Sequence, residues 1–151
     1  MQASDKIIKF IAKREGFVAK AMRPLPNDRW TVGYGSTFID GRPVGPNDTM
    51  TQEQAMEQLK KNVEAIALPL SHLCPPGITQ NQFDAIVSLC YNIGLQRFIV
   101  SVTGKKFIAG SNVSDRLPMF NKSNGVEIAG LTKRRLAEKL IYDARDYGNV
   151  G

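Results

Sequence analysis

Histidine and cysteine are scarce in this chain: one histidine, His72, and two cysteines, Cys74 and Cys90, among 151 residues. A side-chain metal centre needs several such ligands at close spacing, so no metal site is expected. The serines lack a nucleophile-elbow context, which removes Ser-His-Asp chemistry. The two cysteines read as small buried residues of a reducing compartment, not as a disulfide framework. Long apolar runs are missing as well. The longest, such as residues 85–89, fall far short of the roughly 20 residues that cross a bilayer, so no membrane insertion is expected. The opening stretch MQASDKIIKFIAKREG is interrupted by charges, unlike a Sec-type signal peptide. The run Gly33-Tyr34-Gly35 is too short for a phosphate-binding glycine fingerprint. What these absences leave is carboxylate chemistry.

The composition is that of one ordinary globular domain, with 42% hydrophobic and 23% charged residues. Twenty Lys and Arg against fourteen Asp and Glu give a formal charge of +6, which draws the molecule toward polyanions at low salt. No basic stripe interleaved with aromatics is present, so a nucleic acid has only the net charge in its favour and is not the expected partner.

The character of the chain changes near residue 50. Ser4 is a good N-cap for a first helix carrying Ile7, Ile8 and Ile11 and ending at Glu15 and Gly16. Residues 30–44 alternate in polarity, and Asp40-Gly41 between β-prone runs signals a hairpin whose second run Pro43 restricts to an edge. Capping boxes at Thr51 with Gln54 and Thr79 with Gln82 open two helices, the first bearing Ala55, Leu59, Val63 and Ile66, the second bearing Phe83, Ile86, Val87 and Cys90. Gly94 closes the second. Further helical stretches are expected near 102–109, 115–120 and 132–145, where Leu136 and Leu140 lie one turn apart. The class is α+β: a small β-hairpin lobe, about residues 17–50, and a larger helical lobe, about 51–151 plus the first helix. A cleft between two such lobes is a natural ligand site.

Glu15 stands out among the carboxylates. The row Ile7, Ile11, Glu15 shares one helix face and points it toward the apolar side. Partial desolvation and the negative end of the helix dipole both favour a protonated carboxyl, as a glycosidic general acid requires. From spacing alone, a glutamate reaching solvent or paired with Arg14 or a C-terminal arginine fits as well.

The segment EGFVAKAMRPLPNDRWTVGYGST resembles the active-site segment of phage-type lysozymes (endolysins), in which a glutamate-glycine pair ends a helix and a strand of threonine, small aliphatic, glycine, aromatic, glycine follows. Glu15, Gly16, Thr31, Val32, Gly33, Tyr34 and Gly35 match. The blocks GRPVGPNDTMTQEQA, ITQNQFDAIVSLCYNIG and FNKSNGVEIAGLTKRRLAEKLIY extend the resemblance along nearly the whole chain. The resemblance implies a two-lobed lysozyme-like fold and cleavage of the β-1,4 bond between N-acetylmuramic acid and N-acetylglucosamine in bacterial peptidoglycan. It also implies an inverting route without a cofactor, in a monomer. Without an export signal, such a protein is expected in the host bacterial cytoplasm until a membrane-permeabilising partner or a secretion machine releases it to the wall.

By the same resemblance Glu15 is the catalytic acid and Thr31 holds the attacking water on the opposite face. Phe107, Asn121 and Lys122 fall in segments where the family lines its cleft, and are expected to bind substrate. Arg134, Arg135 and Glu138 match the C-terminal helix; the expectation favours a structural pair, with an orienting partner for Glu15 as the other reading. The chain also departs from the family. The usual aspartate, or cysteine, is replaced by the stretch Met22-Arg23-Pro24-Leu25 with one extra residue before Thr31, and the usual histidine after the strand is Ser36. Asp28 is the nearest carboxylate that can stand in as base, against a turn role in Pro26-Asn27-Asp28-Arg29. The missing aspartate keeps two other readings open: a lytic transglycosylase, which needs one acid, and a wall-binding protein with impaired catalysis.

Overall fold

The structure, a computed structural model, describes residues 1–148. Helix α1 (Asp5–Glu15) begins where the Ser4 hydroxyl accepts the Ile7 N–H at 3.2 Å, and ends at Gly16, whose φ of 73° and N–H bond to Ala12 O stop the helix. Its buried face is Ile7, Phe10, Ile11 and Ala12. Strand β1 (Val18–Met22) returns antiparallel against β2 (Thr31–Gly33), with a register shift between its pairs Val18–Gly33 and Met22–Thr31. The segment 48–50 runs along the other side of β1, through Ala21 N–H to Asp48 O and Met50 N–H to Ala19 O, both 2.8 Å. The second hairpin, β3 (Phe38–Ile39) and β4 (Arg42–Pro43), turns at Asp40 and Gly41 with φ of 50° and 82°. Two consecutive positive φ values make the turn expected of Asp-Gly.

Both capping boxes are present. Thr51 and Gln54 open α2 (Gln52–Ser71), and Thr79 and Gln82 open α3 (Gln80–Ile93), which Gly94 closes with φ 96°. Helix α3 is the axis of the fold: every residue from Phe83 to Cys90 is buried, and it packs against α1, α2, α4 (Leu95–Val100) and α6 (Ala129–Tyr142). An all-round buried helix must satisfy its own polar groups. Asp84 does so by accepting from Ser4 N–H and hydroxyl, Gln80 Nε2 and the Tyr147 hydroxyl, so one carboxylate fastens the cap of α1 and the C-terminal segment to α3. Helix α5 (Val102–Ile108), a 3₁₀ turn (Ser114–Met119) and the hairpin β5 (Lys122–Ser123) with β6 (Val126–Glu127) complete the helical lobe before α6. Cys74 and Cys90 are free thiols, the second fully buried.

Two expectations about the helical lobe need correction. Helix α6 starts three residues earlier than expected, and Leu136 and Leu140, 48% and 45% exposed, face solvent. Its buried face is instead Arg134, Arg135, Glu138, Ile141 and Tyr142, an ion cluster taking the place of an apolar stripe. Phe107, 2% exposed on α5, is a core residue packed edge-on against Phe98 with ring centroids 5.9 Å apart. Burial leaves that ring no face for a sugar.

Close backbone approach makes one glycine critical. A Cβ on Gly104 would sit 1.9 Å from the Phe98 carbonyl oxygen, whereas one on Gly130, within α6, would meet nothing within 4 Å. Gly104→Ala should therefore cost about 3 kcal/mol through forced separation of α4 from α5, while Gly130→Ala should gain roughly 0.5 to 1 kcal/mol from chain entropy and helix propensity. Urea unfolding of the two variants checks the opposite signs.

Candidate active site

Glu15 ends α1 at the wall of an open cleft of roughly 300 Å³ between the lobes. The other lining residues are Gly35, Ser36, Thr37 and Phe38 from the β-bearing lobe, Asn62 and Ile66 from α2, and Tyr91 and Asn92 from α3. The glutamate side chain is 23% exposed and its Oε2 receives the Arg134 Nη1 at 2.6 Å. Oε1 lies beside Gly35, where an added Cβ would come within 2.9 Å of it. The two oxygens thus have separate surroundings: one is fixed to the helical lobe, the other turned to the strand end and the cleft.

The glycines of the strand explain that approach. Gly33 (φ 68°) sits against Ala55 and Met50, each with an atom 2.9 Å from where a Cβ would be, so the end of β2 lies directly on α2. Gly35 (φ 79°) then brings bare backbone to the carboxylate. Tyr34 between them is buried, and its carbonyl accepts the Tyr91 hydroxyl at 3.2 Å. Burial, reinforced by the nearby charge of Glu15, pushes the Tyr91 phenol up to about 12, while its hydrogen bond with Asn62 and the Arg134 charge pull the other way. A neutral O–H donor is therefore maintained on the α3 wall. On the α2 wall, Gln58 Nε2 donates to Asn62 Oδ1 at 2.9 Å and Asn62 Nδ2 donates to the buried Ser36 hydroxyl at 3.1 Å. Ser36, in the position where a histidine is usual, serves as the end of this neutral amide chain.

Behind Glu15 lies the ion cluster of α6. Arg134 Nε reaches Glu138 Oε2 at 3.3 Å and its Nη2 reaches the Ser88 carbonyl at 3.3 Å. Glu138, fully buried, also accepts from the Ser88 hydroxyl at 2.5 Å and from Arg135 Nη2 at 3.1 Å. Arg135 Nε lies 2.6 Å from Glu138 Oε1 as an ion contact without hydrogen-bond alignment. Burial pushes the Glu138 carboxyl up and the Arg135 guanidinium down, and each is partly restored by the other's charge. Arg134 thus meets both readings of the sequence at once, as a structural ion-pair residue with Glu138 and as the partner of Glu15.

The remaining expected site residues are not among those that line the cleft. Thr31 opens β2, half-buried, and its hydroxyl donates to the Met22 carbonyl at 3.3 Å, which leaves the oxygen free to accept. Asp28 closes its turn twice, accepting the Leu25 N–H at 3.1 Å and donating its own N–H to Leu25 O at 2.9 Å. That is the turn role of the sequence Pro26-Asn27-Asp28. Asn121 ties the β5–β6 hairpin to α6 through Nδ2 to Thr132 Oγ1 at 3.1 Å, and Lys122 is exposed opposite Glu127. Among the described residues that line the cleft, Glu15 is the one carboxylate. Tyr91, Asn92, Asn62 and Thr37 are site residues without a prior signal, although Tyr91 and Asn92 stand within the matched block ITQNQFDAIVSLCYNIG just before its closing glycine.

A family model described as phage lysozyme matches residues 12–138. The chain is 33% identical to the endolysin of Bacillus phage PZA, over 99% of this chain and 58% of that protein. It is 35% identical to the endolysin of Acyrthosiphon pisum secondary endosymbiont phage 1, over 95% of this chain and 99% of that one. The chain therefore spans less than two thirds of the first relative and nearly all of the second. Its structure is similar to that of an endolysin from Escherichia coli O157:H7 phage FAHEc1, with a TM-score of 0.84 and 34% identity over 94% of this chain and 93% of that one. It is also similar to the muramidase domain of SpmX from Asticaccaulis excentricus, with a TM-score of 0.82 and 30% identity over 93% and 97% of the two chains. The matched span holds Glu15, the cleft walls and Arg134, and the chain belongs to the phage lysozyme family.

Proposed function

We propose that the protein is a lysozyme of the endolysin type, which hydrolyses the β-1,4 bond between N-acetylmuramic acid and N-acetylglucosamine in bacterial peptidoglycan, with Glu15 as general acid. The observation that carries the reading is the pair of surroundings at Glu15: Oε2 held by Arg134, Oε1 aimed at the cleft beside Gly35. A carboxyl fixed through one oxygen presents the other to a glycosidic oxygen in one orientation, and positioning is a large part of what a proton donor contributes. As the bond breaks, the leaving oxygen takes the proton and Glu15 becomes a carboxylate, a charge that the adjacent guanidinium stabilises.

A retaining route needs a second carboxylate about 5 to 5.5 Å from the first. Glu15 is the one carboxylate among the described lining residues, so no lining carboxylate stands as nucleophile, and direct attack by water with inversion is proposed, the water's proton passing to solvent as the C–O bond to the leaving sugar breaks. Thr31 is proposed to accept a hydrogen bond from that water, its own proton being spent on Met22. Asp28, engaged in its turn, is the weaker candidate to assist it. The same single carboxylate suits a lytic transglycosylase, in which the sugar's own 6-hydroxyl attacks, and product analysis separates the two. The protein is proposed to act as a monomer on the wall after accumulating in the host cytoplasm, with no cofactor.

Glu15→Gln keeps the volume and removes the proton donor, so it should reduce wall lysis by at least about 100-fold, the scale of general acid catalysis, with the native fold retained and stability lowered by about 1 to 3 kcal/mol as Arg134 loses its charged partner. Mass analysis of muropeptides released by the unaltered protein should show free reducing ends on muramic acid. Appreciable lysis by the variant would remove Glu15 from the mechanism, and 1,6-anhydro ends would mark the transglycosylase.

Gly35→Ala is a second check, because the methyl would press on Oε1 from 2.9 Å in a backbone already at φ 79°. We expect a loss of kcat on the order of 100-fold, the cost of displacing the acid by about 1 Å, with KM less affected. A variant of unchanged kcat would mean that the approach of Gly35 to Glu15 plays no part in catalysis.

A further inference from the structure

The loop between β1 and β2, where this chain departs from its family, carries two arginines that sit on aromatic rings. The Arg23 guanidinium lies 4.8 Å from the centre of the Trp30 ring, and that of Arg29 lies 5.4 Å from the centre of the Phe38 ring. Neither arginine makes an ion pair among the described residues. The two differ in what is left of their hydrogen-bonding edge. Arg23 donates Nη1 to the Pro26 carbonyl at 2.7 Å, inside its own loop. Arg29 holds its guanidinium over Phe38, and among the described residues its fork of N–H donors makes no hydrogen bond or ion pair.

Phe38 is itself a wall of the Glu15 cleft, and 43% exposed. Arg29, exposed and over the ring of a lining residue, therefore borders the site. A guanidinium braced on a ring loses less freedom on binding than a free side chain, and its planar fork matches a carboxylate or phosphate in a bidentate manner. The surroundings suit an anion. The nearest acidic group in the loop, Asp28, is turned onto the Leu25 N–H, and the carboxylate of the cleft is already engaged by Arg134.

We propose that Arg29, braced on Phe38, is a specificity-determining residue that captures an anionic substituent of the glycan strand, a carboxylate or a phosphate, at the mouth of the Glu15 cleft. The proposal rests on the hydrolase reading for the identity of the strand. It assigns the loop that lacks the family's carboxylate a cationic role in choosing which strands enter.

The test is binding in a Glu15→Gln background, where strands are not consumed, to three soluble ligands. These are glycan strands with free carboxylates, the same strands with every carboxylate converted to an amide, and amidated strands carrying a covalent phosphate polymer. Adding Arg29→Gln should raise Kd about tenfold on one or both charged ligands, the weight of one charge-assisted contact, and leave the amidated strand unchanged. The ligand that responds identifies the anion. Arg29→Lys, which keeps the charge and loses the stacked fork, should recover only part of the affinity. Equal weakening on all three ligands, no weakening on any, or no binding at all overturns the proposal. Release of reducing ends from the charged strands by protein with Glu15 and Arg29 intact tests the hydrolase reading separately, so the two failures are distinct.

Discussion

Arg134 occupies the point at which three helices meet, and its guanidinium is the hub of their polar contacts. One nitrogen pairs with Glu15 at the end of α1, another with Glu138 one turn along α6, and a third reaches the Ser88 carbonyl on α3. A buried cation of this kind is costly to desolvate and is tolerated because its partners surround it; removing any of them leaves a charge uncompensated. The fold therefore depends on having a carboxylate at residue 15, and that carboxylate in turn depends on the fold for its orientation. Because Arg134 is buried and Glu15 is partly exposed, the network has a fixed inner end and an outer end that opens on the cleft.

The β-bearing lobe meets this network with backbone. Gly33 lets β2 lie on α2, Gly35 comes up to Oε1, and the Tyr34 carbonyl receives the Tyr91 hydroxyl. The short sequence Thr-Val-Gly-Tyr-Gly thus performs two tasks, closing the strand onto the helical lobe and forming the floor beside the acid. The amide chain from Gln58 through Asn62 to Ser36 runs along the facing wall without a charge. The wall facing the single carboxylate is therefore neutral, and the nearest cations are Arg134 behind Glu15 and Arg29 against the Phe38 ring.

Local signals were the readable part. The capping boxes at Thr51 and Thr79, the Asp40-Gly41 turn and the Ser4 cap each depend on residues within a few positions, and each forms as expected. The row Ile7, Ile11, Glu15 placed the acid on the inner face for the same reason. Asn124-Gly125 carries the same kind of turn signal, with φ of 50° and 79°, and makes a hairpin in a stretch expected only to line the cleft. A C-terminal arginine was one of the partners open to Glu15, but no periodicity encodes that Arg134, across 119 positions, is the one that reaches it. The same cause misled the reading of α6: Leu136 and Leu140 have the spacing of a core stripe, but the core face is occupied by charges that only their partners on α1 and α3 make affordable. Phe107 shows the reverse, an aromatic in a cleft-lining segment whose ring is taken by Phe98.

The central claim is that the acid and the core ion cluster are one coupled unit. A double-mutant cycle on urea unfolding, with Glu15→Gln, Arg134→Met and the two combined, measures that coupling directly. An interaction energy of about 1 to 3 kcal/mol between the two positions is expected, the double variant being less destabilised than the sum of the singles. Additivity to within about 0.5 kcal/mol would contradict it.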